Sequence, residues 1–231
     1  MTPRKTVRKK PGRSAGDPSL TLTERAYTHL EEMIVTLQLP PGSAVSETVL
    51  AQRLGIGRTP IREALQRLAR ERLVTILPRR GIIVSEINVT SQLRLLEVRR
   101  EVERLVAKSA ARRATPEERE HFLELARRFE KCAKTNDDVG FMRVDHEFND
   151  LSTMAARNEF AAGAMGLMHS LSRRFWYIHY KRAADMPLTA KLHADLARAI
   201  SAGDEDAAGK AIDRLLDQVA KFTRDTVATD F

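Results

Sequence analysis

The sequence predicts a mainly α-helical protein, in which a small N-terminal unit of three helices and a β-hairpin precedes an all-α bundle of six or seven helices. Three observations lead to this prediction. Apolar residues recur at helical spacing along most of the 231 residues. One stretch near residues 73–85 changes to the alternating spacing of strands. Residues 1–88 carry 15 Lys/Arg against 8 Asp/Glu, whereas the rest of the chain is nearly neutral.

The composition is that of a globular protein from a reducing compartment, with 42% hydrophobic and 30% charged residues. The single cysteine, Cys132, cannot form an internal disulfide, and no Cys/His cluster has the spacing of a structural zinc site. No long apolar run follows the basic start of the chain, so we expect no secretory signal, no membrane partner and a cytoplasmic location. Residues 1–19 are rich in Pro, Gly and basic residues, which predicts a disordered basic arm.

Two helices are expected early in the N-terminal unit, which we place at residues 20–88. Apolar residues from Thr23 to Leu37 recur at helical spacing, and the run Pro40-Pro41-Gly42 prevents the helix from continuing. Ser46 is a candidate cap for a short second helix, and Gly55 is a typical residue to end it.

A third helix and a basic hairpin follow. Thr59 before Pro60 has the pattern of a capped helix start. Four apolar residues form the predicted inner face of this helix: Ile61, Ala64, Leu65 and Leu68. Polar residues form its outer face: Arg58, Thr59, Arg62 and Gln66. The chain then reads LVTIL, a four-residue PRRG turn and IIVS, which predicts a hairpin with Arg79 and Arg80 at its tip.

Two helices, a tight turn, a helix and a hairpin form the arrangement of a winged helix-turn-helix. In that arrangement the helix after the turn enters the major groove of DNA, while the wing and the helix ends bind phosphates. Arginine suits the task because its planar guanidinium can bond guanine O6 and N7 together. An ordinary capped helix and hairpin would explain each feature singly, but not their combination with the basic charge. We therefore predict that this unit binds double-stranded DNA.

The remainder, residues 89–231, is expected to be all-helical. Helices are predicted from Thr90 to Arg113, from Thr115 past Phe129, and near 138–156, 159–180, 188–201 and 205–226. No nucleophile with a base, carboxylate pair or phosphate-binding loop has usable spacing, so an enzyme is not expected.

The segment from residue 40 to 84 closely resembles the DNA-binding domain of GntR-family transcription regulators: PPGSAVSETVLAQRLGIGRTPIREALQRLARERLVTILPRRGIIV. The helical part resembles the FCD ligand-binding domain of the FadR branch of that family, in the pieces LLEVRREVERLVAKSAARRATPEE, VDHEFNDLSTMAARNEF and LHADLARAISAGDEDAAGKAIDRLL. The resemblance covers about residues 22–226. It implies a homodimeric regulator, expected to be a repressor, that binds a palindromic DNA operator and whose affinity changes with a small organic-acid effector.

Site residues follow from the resemblance together with the outer faces of the predicted elements. The expected DNA contacts are Ser46, Arg58, Thr59, Arg62, Gln66, Arg79, Arg80 and Gly81. The expected effector-binding residues are Arg99, Asp145, Asn149, His193 and Leu215. An anionic group of the effector would meet Arg99 or His193, and a less polar body would face Leu215. A surface ion pair with Glu103 is the alternative role for Arg99, and Asp145 and His193 could instead be paired polar groups inside the bundle.

Many FCD domains bind a divalent metal through an Asp-x-x-Phe-His helix and two later histidines, and here the chain departs from that pattern. Asp145 and His193 occupy two of the positions, but Asn149 replaces the first histidine and Leu215 the last. An amide oxygen is a poor ligand for Zn²⁺ or Ni²⁺, and leucine offers none. We therefore expect no metal and no other cofactor, with Asp145 and His193 as the ligands if a metal is present. A metal-dependent sensor and an architectural DNA-binding protein without an effector remain the alternatives.

One further cluster stands out because aromatic residues make up 5% of the chain. It comprises Arg173, Arg174, Trp176, Tyr177, His179 and Tyr180. The sequence leaves open whether these residues form the core, a dimer surface or the wall of a ligand pocket.

Overall fold

The computed structural model describes residues 20–79, 81–183 and 185–228, so the predicted basic arm and Arg80 lie outside the described residues. The elements in chain order are α1 Leu22–Val35, β1 Ala44–Val45, α2 Glu47–Leu54, α3 Arg58–Arg70, β2 Val74–Leu77, β3 Gly81–Val84, α4 Val89–Arg113, α5 Pro116–Thr135, α6 Asp138–Ala155, α7 Glu159–Gly166, α8 His169–Ala183, α9 Met186–Ala202 and α10 Glu205–Ala228. The predicted fold class is confirmed: a winged helix-turn-helix precedes a bundle of helices. Within the described ranges, no helix combines the length and apolar character needed to cross a membrane.

Helices α1 to α3 and the small sheet share one hydrophobic core. The predicted inner face of α3 is buried, from Ile61 to Leu68, and packs against Leu30 and Ile34 of α1. The sheet has the order β1-β3-β2 and is antiparallel, with Leu77 opposite Gly81 in the hairpin. Strand β1 was not predicted, because two residues are too few to show an alternating pattern.

Three local predictions in this unit need correction. The residue before α3 is Gly57, so Thr59 lies in the first helical turn and does not cap the helix. Pro60 is tolerated there because the first N–H groups of a helix have no partner within it. Ser46 does precede α2, but its side chain makes no capping hydrogen bond. The hairpin turn has three residues rather than four, because Gly81 already pairs in β3.

The helical bundle is built mainly on two helix pairs, α5 with α9 and α4 with α10. Helix α5 starts with a capping box between Thr115 and Glu118, which satisfies two N–H groups at the helix start. In the core, the Phe129 ring lies 5.8 Å from those of both Phe141 and Phe148. Aromatic rings at that separation, when tilted or edge-on, attract one another, so they fix how α5 and α6 pack.

The long helix predicted at 159–180 is in fact two helices, α7 and α8. At the break, Leu167 and Met168 donate their N–H groups three residues back rather than four, to Ala164 and Met165. Gly166 ends α7. Glycine is a poor helix former because it loses the most backbone freedom, so this turn is a weak point where α8 can start in a new direction.

Helix α8 contacts the N-terminal unit as well as the bundle. Leu171 packs against the core of the N-terminal unit. Arg174 is 2% exposed and donates hydrogen bonds to the carbonyls of Ser85 and Glu86, at 2.9 and 3.3 Å, in the segment that joins the two parts. The orientation of the DNA-binding unit relative to the bundle therefore depends on this helix.

Arg119 stabilises the bundle by joining the ends of two helices. Its guanidinium donates hydrogen bonds to the carbonyls of Ala111 and Ala114 at the end of α4, at 2.7 and 3.2 Å. It also donates to the carbonyl of Ser201 near the end of α9, at 3.0 Å. The last carbonyls of a helix have no partner within it, so a charged donor there satisfies groups that would otherwise be buried unpaired.

We predict that Arg119→Ala lowers the free energy of unfolding by about 2–3 kcal/mol, because it removes several charge-assisted hydrogen bonds. Urea unfolding of the two proteins measures the difference. Arg127→Ala is the matched control, since Arg127 is exposed and its ion pair with Glu120 is 3.7 Å long. The control should change stability by less than about 0.5 kcal/mol. Equal losses from both substitutions would contradict the capping role.

Candidate DNA-binding face and effector cavity

A concave surface lies between α2, α3 and the β-hairpin, and most of the predicted DNA contacts line it. They are Ser46, Arg58, Arg62, Gln66, Arg79 and Gly81. Thr59 is exposed at the start of α3 but lies outside this surface. The concave surface is bounded by the helix after the tight turn on one side and by the wing on the other, the two elements that such a fold places against DNA.

Glu47 holds the two arginines of this face. Its carboxylate accepts hydrogen bonds from Arg62 Nε at 3.0 Å and Arg62 Nη2 at 2.9 Å, and it lies 3.9 Å from Arg58 Nη2. The hydrogen bonds from Arg62 lower the pKa of Glu47, so it is a carboxylate at neutral pH. Sequence reasoning missed Glu47. The available signal was its place directly after Ser46, in the first turn of the helix that precedes the recognition helix.

The wing tip has a tight backbone. Arg79 has a φ of 62° and Gly81 a φ of 98°, both in the left-handed region. Glycine adopts this conformation without strain, whereas a side chain at residue 81 would be strained although nothing crowds the position. Arg79 is exposed at the tip, where it can reach a phosphate.

A cavity of about 90 Å³ lies inside the helical bundle, between α4, α6, α8, α9 and α10. All five predicted effector residues line it: Arg99, Asp145, Asn149, His193 and Leu215. Five aromatic side chains contribute to its walls: Phe141, Phe148, Phe175, Trp176 and Phe222. A concave, largely apolar cavity with a few polar groups is the usual form of a small-molecule site.

His193 is held at both ring nitrogens. Nδ1 lies 2.8 Å from the carbonyl of Thr189, and Nε2 lies 3.1 Å from the carboxylate of Asp145. Both neighbours are hydrogen-bond acceptors, so the contacts are satisfied together when both nitrogens carry a proton. Burial opposes the ionisation of Asp145, but the hydrogen bond and charge of His193 outweigh it and lower the pKa of Asp145. The cavity wall thus holds an ionised Asp145 carboxylate in contact with His193.

Arg99 and Glu103 form a second pair in this wall. Arg99 Nε lies 2.5 Å from Glu103 Oε1, one helical turn along α4. Their side chains are 12% and 10% exposed, so this is an ion pair of the cavity wall and not of the protein surface. Such a pair carries no net charge, although the remaining N–H groups of Arg99 can still donate to a ligand.

The donor set does not fit a transition metal. Asp145 and His193 contact each other directly, Asn149 offers an amide oxygen and Leu215 no donor. Across the residues that the structure describes, no group of three or more His, Cys, Asp and Glu side chains is arranged to hold a metal ion.

Two further residues line the cavity that were not among the expected effector-binding residues, His169 and Arg173. The Nε2 atom of His169 and the Nε atom of Arg173 are buried and have no hydrogen-bond partner among the described residues. Burial lowers the pKa of His169, which favours the neutral ring. The concentration of arginine and aromatic residues at 173–180 was the available signal, and the structure shows that Arg173 and Trp176 do line the cavity.

Comparison with known proteins gives two family matches. Residues 22–84 match the model described as bacterial regulatory proteins, gntR family. Residues 94–218, more than half of the chain, match the FCD domain.

Relatives and solved structures agree with these matches. The HTH-type transcriptional repressor RspR of Escherichia coli K12 is 26% identical over 211 residues, which cover 90% of this chain and 91% of that protein. The Nta operon transcriptional regulator of Aminobacter aminovorans is 25% identical, covering 84% and 93%. The structure of E. coli McbR/YncC has a TM-score of 0.78 at 18% identity and covers 90% of this chain and 99% of that one.

We predict that Asp145→Asn destabilises the protein by about 1–3 kcal/mol at pH 7, because His193 loses its charged partner. Because the pKa of Asp145 is lowered in the folded protein, its carboxylate contributes fully to the free energy of unfolding above about pH 4. That contribution is lost as the pH falls through the lowered pKa. The stability difference between wild type and variant should therefore narrow in acid, as urea unfolding at pH values from 5 down to 2 can measure. Asp150→Asn is the control, since Asp150 is an exposed aspartate on the same helix. A difference that stays constant with pH would refute the charged pair.

Proposed function

Since the chain belongs to the GntR family of bacterial regulatory proteins and carries an FCD domain, we propose that it is a DNA-binding regulator controlled by a small organic acid. The family and the relatives are transcription regulators, so the prediction that the chain is not an enzyme is confirmed. The observation that carries the effector proposal is the cavity in the FCD domain, lined by arginines, the Asp145–His193 pair and aromatic rings.

The DNA-binding proposal is for a homodimer on a palindromic operator, in the cytoplasm. One recognition helix reads a few base pairs, so a specific site needs two half-sites, and a two-fold protein matches a two-fold site. We propose repression as the outcome, in keeping with the relative that is named a transcriptional repressor. Arg58, Arg62 and Gln66 on α3 are proposed to contact bases, and Ser46, Thr59, Arg79, Arg80 and Gly81 to contact the backbone and the groove edge.

The effector proposal places the acid in the cavity without a metal. Its anionic group meets cationic side chains there, and Leu215 offers an apolar surface to its body. Asn149 supplies a hydrogen-bond donor and acceptor where a metal site would need a histidine. Binding should therefore persist after treatment with a chelator.

Three measurements on the full chain test this function. Light scattering should give a dimer at micromolar concentration, and selection from random DNA should recover a palindrome. A screen of organic acids should raise the melting temperature and change the operator affinity. Operator binding that no acid changes would favour an architectural DNA-binding protein. One stoichiometric metal per chain, lost on chelation together with acid binding, would favour a metal-dependent sensor.

Replacing Arg58 or Arg62 by alanine is expected to weaken operator binding by about 1–3 kcal/mol and to relax the sequence preference at one position of each half-site. Fluorescence anisotropy with the operator and with single-base variants measures both effects. Arg143→Ala is a suitable control, since Arg143 is exposed on α6, outside the DNA-binding unit. If the two variants and the control all weaken binding to every DNA sequence equally, the proposal that Arg58 and Arg62 contact bases is wrong.

Arg99→Ala and His193→Ala are each expected to weaken binding of the identified acid by about 1–3 kcal/mol, because a charged hydrogen bond is lost. Operator affinity without the acid should stay nearly unchanged. Isothermal titration calorimetry measures acid binding and anisotropy measures operator affinity. Undiminished acid binding by both variants would place the effector elsewhere.

A further inference from the structure

Arg173 belongs to the cavity and to the domain contact at once. It lines the cavity from α8, and its Nη1 donates to Glu31 Oε1 of α1 at 2.9 Å. Glu31 is 7% exposed and Arg173 is 23% exposed in its side chain, so the pair is largely shielded from water. An ion pair in such surroundings is stronger than at the surface, and a competing anion has more effect on it.

The guanidinium of Arg173 has spare donor capacity. Its Nε is buried and has no hydrogen-bond partner among the described residues. Arg99, the other arginine of the cavity, already donates through its Nε to Glu103. An unsatisfied buried N–H is costly, and a ligand oxygen that accepts it recovers that cost. Arg173 therefore offers a carboxylate a donor that no acceptor within the described ranges occupies, beside the remaining N–H groups of Arg99.

The other charges of the cavity limit the ligand to one anionic group. The carboxylates of Glu103 and Asp145 line the same cavity, each paired with its own cation. A second anionic group on the ligand would have to displace one of these carboxylates or lie close to it, and like charges in a shielded site repel strongly. The aromatic walls, which include Phe141, Phe175 and Trp176, suit a flat apolar body.

Glu31 is connected to the recognition helix through α1. One turn earlier on α1, the Tyr27 hydroxyl donates to Glu71 at the end of α3 at 2.8 Å. Burial and the Glu71 carboxylate raise the pKa of Tyr27, so this hydroxyl keeps its proton. The guanidinium of Arg67 lies 3.6 Å from the centre of the Tyr27 ring. Movement of α1 relative to α8 would therefore move α3 with it.

We propose that the effector is an aromatic monocarboxylate whose carboxylate binds Arg173 in competition with Glu31, so that binding loosens the contact between α8 and α1. This inference rests on the proposed function, since it names the effector class and the route by which the cavity acts on DNA binding. Arg174 keeps α8 attached to the segment joining the two parts, through Ser85 and Glu86, while the Arg173–Glu31 pair opens. The change is thus a shift of α1 on a fixed hinge and not a separation of the two units.

Benzoate and benzamide are the probes, because they share a ring and a shape but only benzoate is charged. Calorimetry should detect benzoate binding and no benzamide binding. Benzoate should change operator affinity by a factor in the range of about 5–150, typical of coupled sites. Arg173→Gln should weaken benzoate binding at least about tenfold, as loss of a charge-assisted hydrogen bond implies. Arg173→Lys, which keeps the charge but lacks the Nε–H, should also weaken it and serves if the glutamine variant does not fold.

Glu31→Gln is the decisive variant. Benzoate should bind it more tightly than wild type, because the competing carboxylate is gone, and the effect of benzoate on operator affinity should fall to a factor near 1. Glu32→Gln is the matched control, since Glu32 is the exposed neighbour on the same helix. It should behave as wild type in both measurements.

The outcomes separate this inference from the proposed function. If Glu31→Gln keeps the wild-type affinity for benzoate and the wild-type effect of benzoate on operator affinity, the proposed competition between benzoate and Glu31 for Arg173 is wrong. If other acids bind and change operator affinity but benzoate does not, the effector class is wrong while the proposed function stands. If no organic acid binds the wild-type protein, the proposed function fails as well.

Discussion

The arrangement of the two parts of this chain depends on the burial of one guanidinium. Arg174 is 2% exposed between the bundle and the DNA-binding unit, and burial lowers its pKa to about 10. It stays charged at neutral pH, so its N–H groups need acceptors, and the carbonyls of Ser85 and Glu86 accept from Nη1 and Nη2, whereas the buried Nε has no partner among the described residues. These carbonyls belong to the segment between β3 and α4, outside both elements. These hydrogen bonds therefore hold α8 to the segment that joins the two parts. In the proposed mechanism they would keep α8 attached while the contact of the neighbouring Arg173 changes.

In the proposed function, the cavity would recognise an anion without carrying a net charge of its own. Each cation in its wall has a protein carboxylate beside it: Arg99 with Glu103, His193 with Asp145 and Arg173 with Glu31. A ligand carboxylate gains little from the overall field of such a site, and instead gains from particular N–H groups and from exchange with a protein carboxylate. The same arrangement disfavours a bare divalent cation, because each carboxylate would have to leave its cationic partner to become a ligand. Asn149 and Leu215 stand where a metal site of this kind would need histidines, which also disfavours a divalent cation.

The features that the sequence predicts well are those set by local patterns. The inner face of α3, the capping box at Thr115 and the helices around Phe122 and Phe148 follow from periodicity and helix-start signals over many residues. The break between α7 and α8 was missed because apolar spacing continues across it, and the effect of Gly166 at the weak point depends on packing. Strand β1 forms because it pairs with the edge of β3, and a stretch of two residues is too short for its sequence pattern to predict that pairing. The contribution of Arg173 was beyond sequence reasoning for a similar reason: its partner Glu31 is 142 residues away, and their contact depends on how the bundle meets α1.

On the candidate DNA-binding face, as in the cavity, arginine side chains are already paired with a protein carboxylate. Glu47 accepts two hydrogen bonds from one edge of the Arg62 guanidinium, so the side chain is held in place while its remaining N–H groups, chiefly those of Nη1, stay available. A side chain that is already ordered loses less entropy on binding, which favours a directional contact with guanine O6 and N7. The carboxylate also offsets part of the positive charge that would attract any phosphate, and phosphate attraction is the part of DNA binding that carries no sequence information. If α3 reads bases as proposed, Glu47 should therefore contribute more to the choice among DNA sequences than to overall affinity.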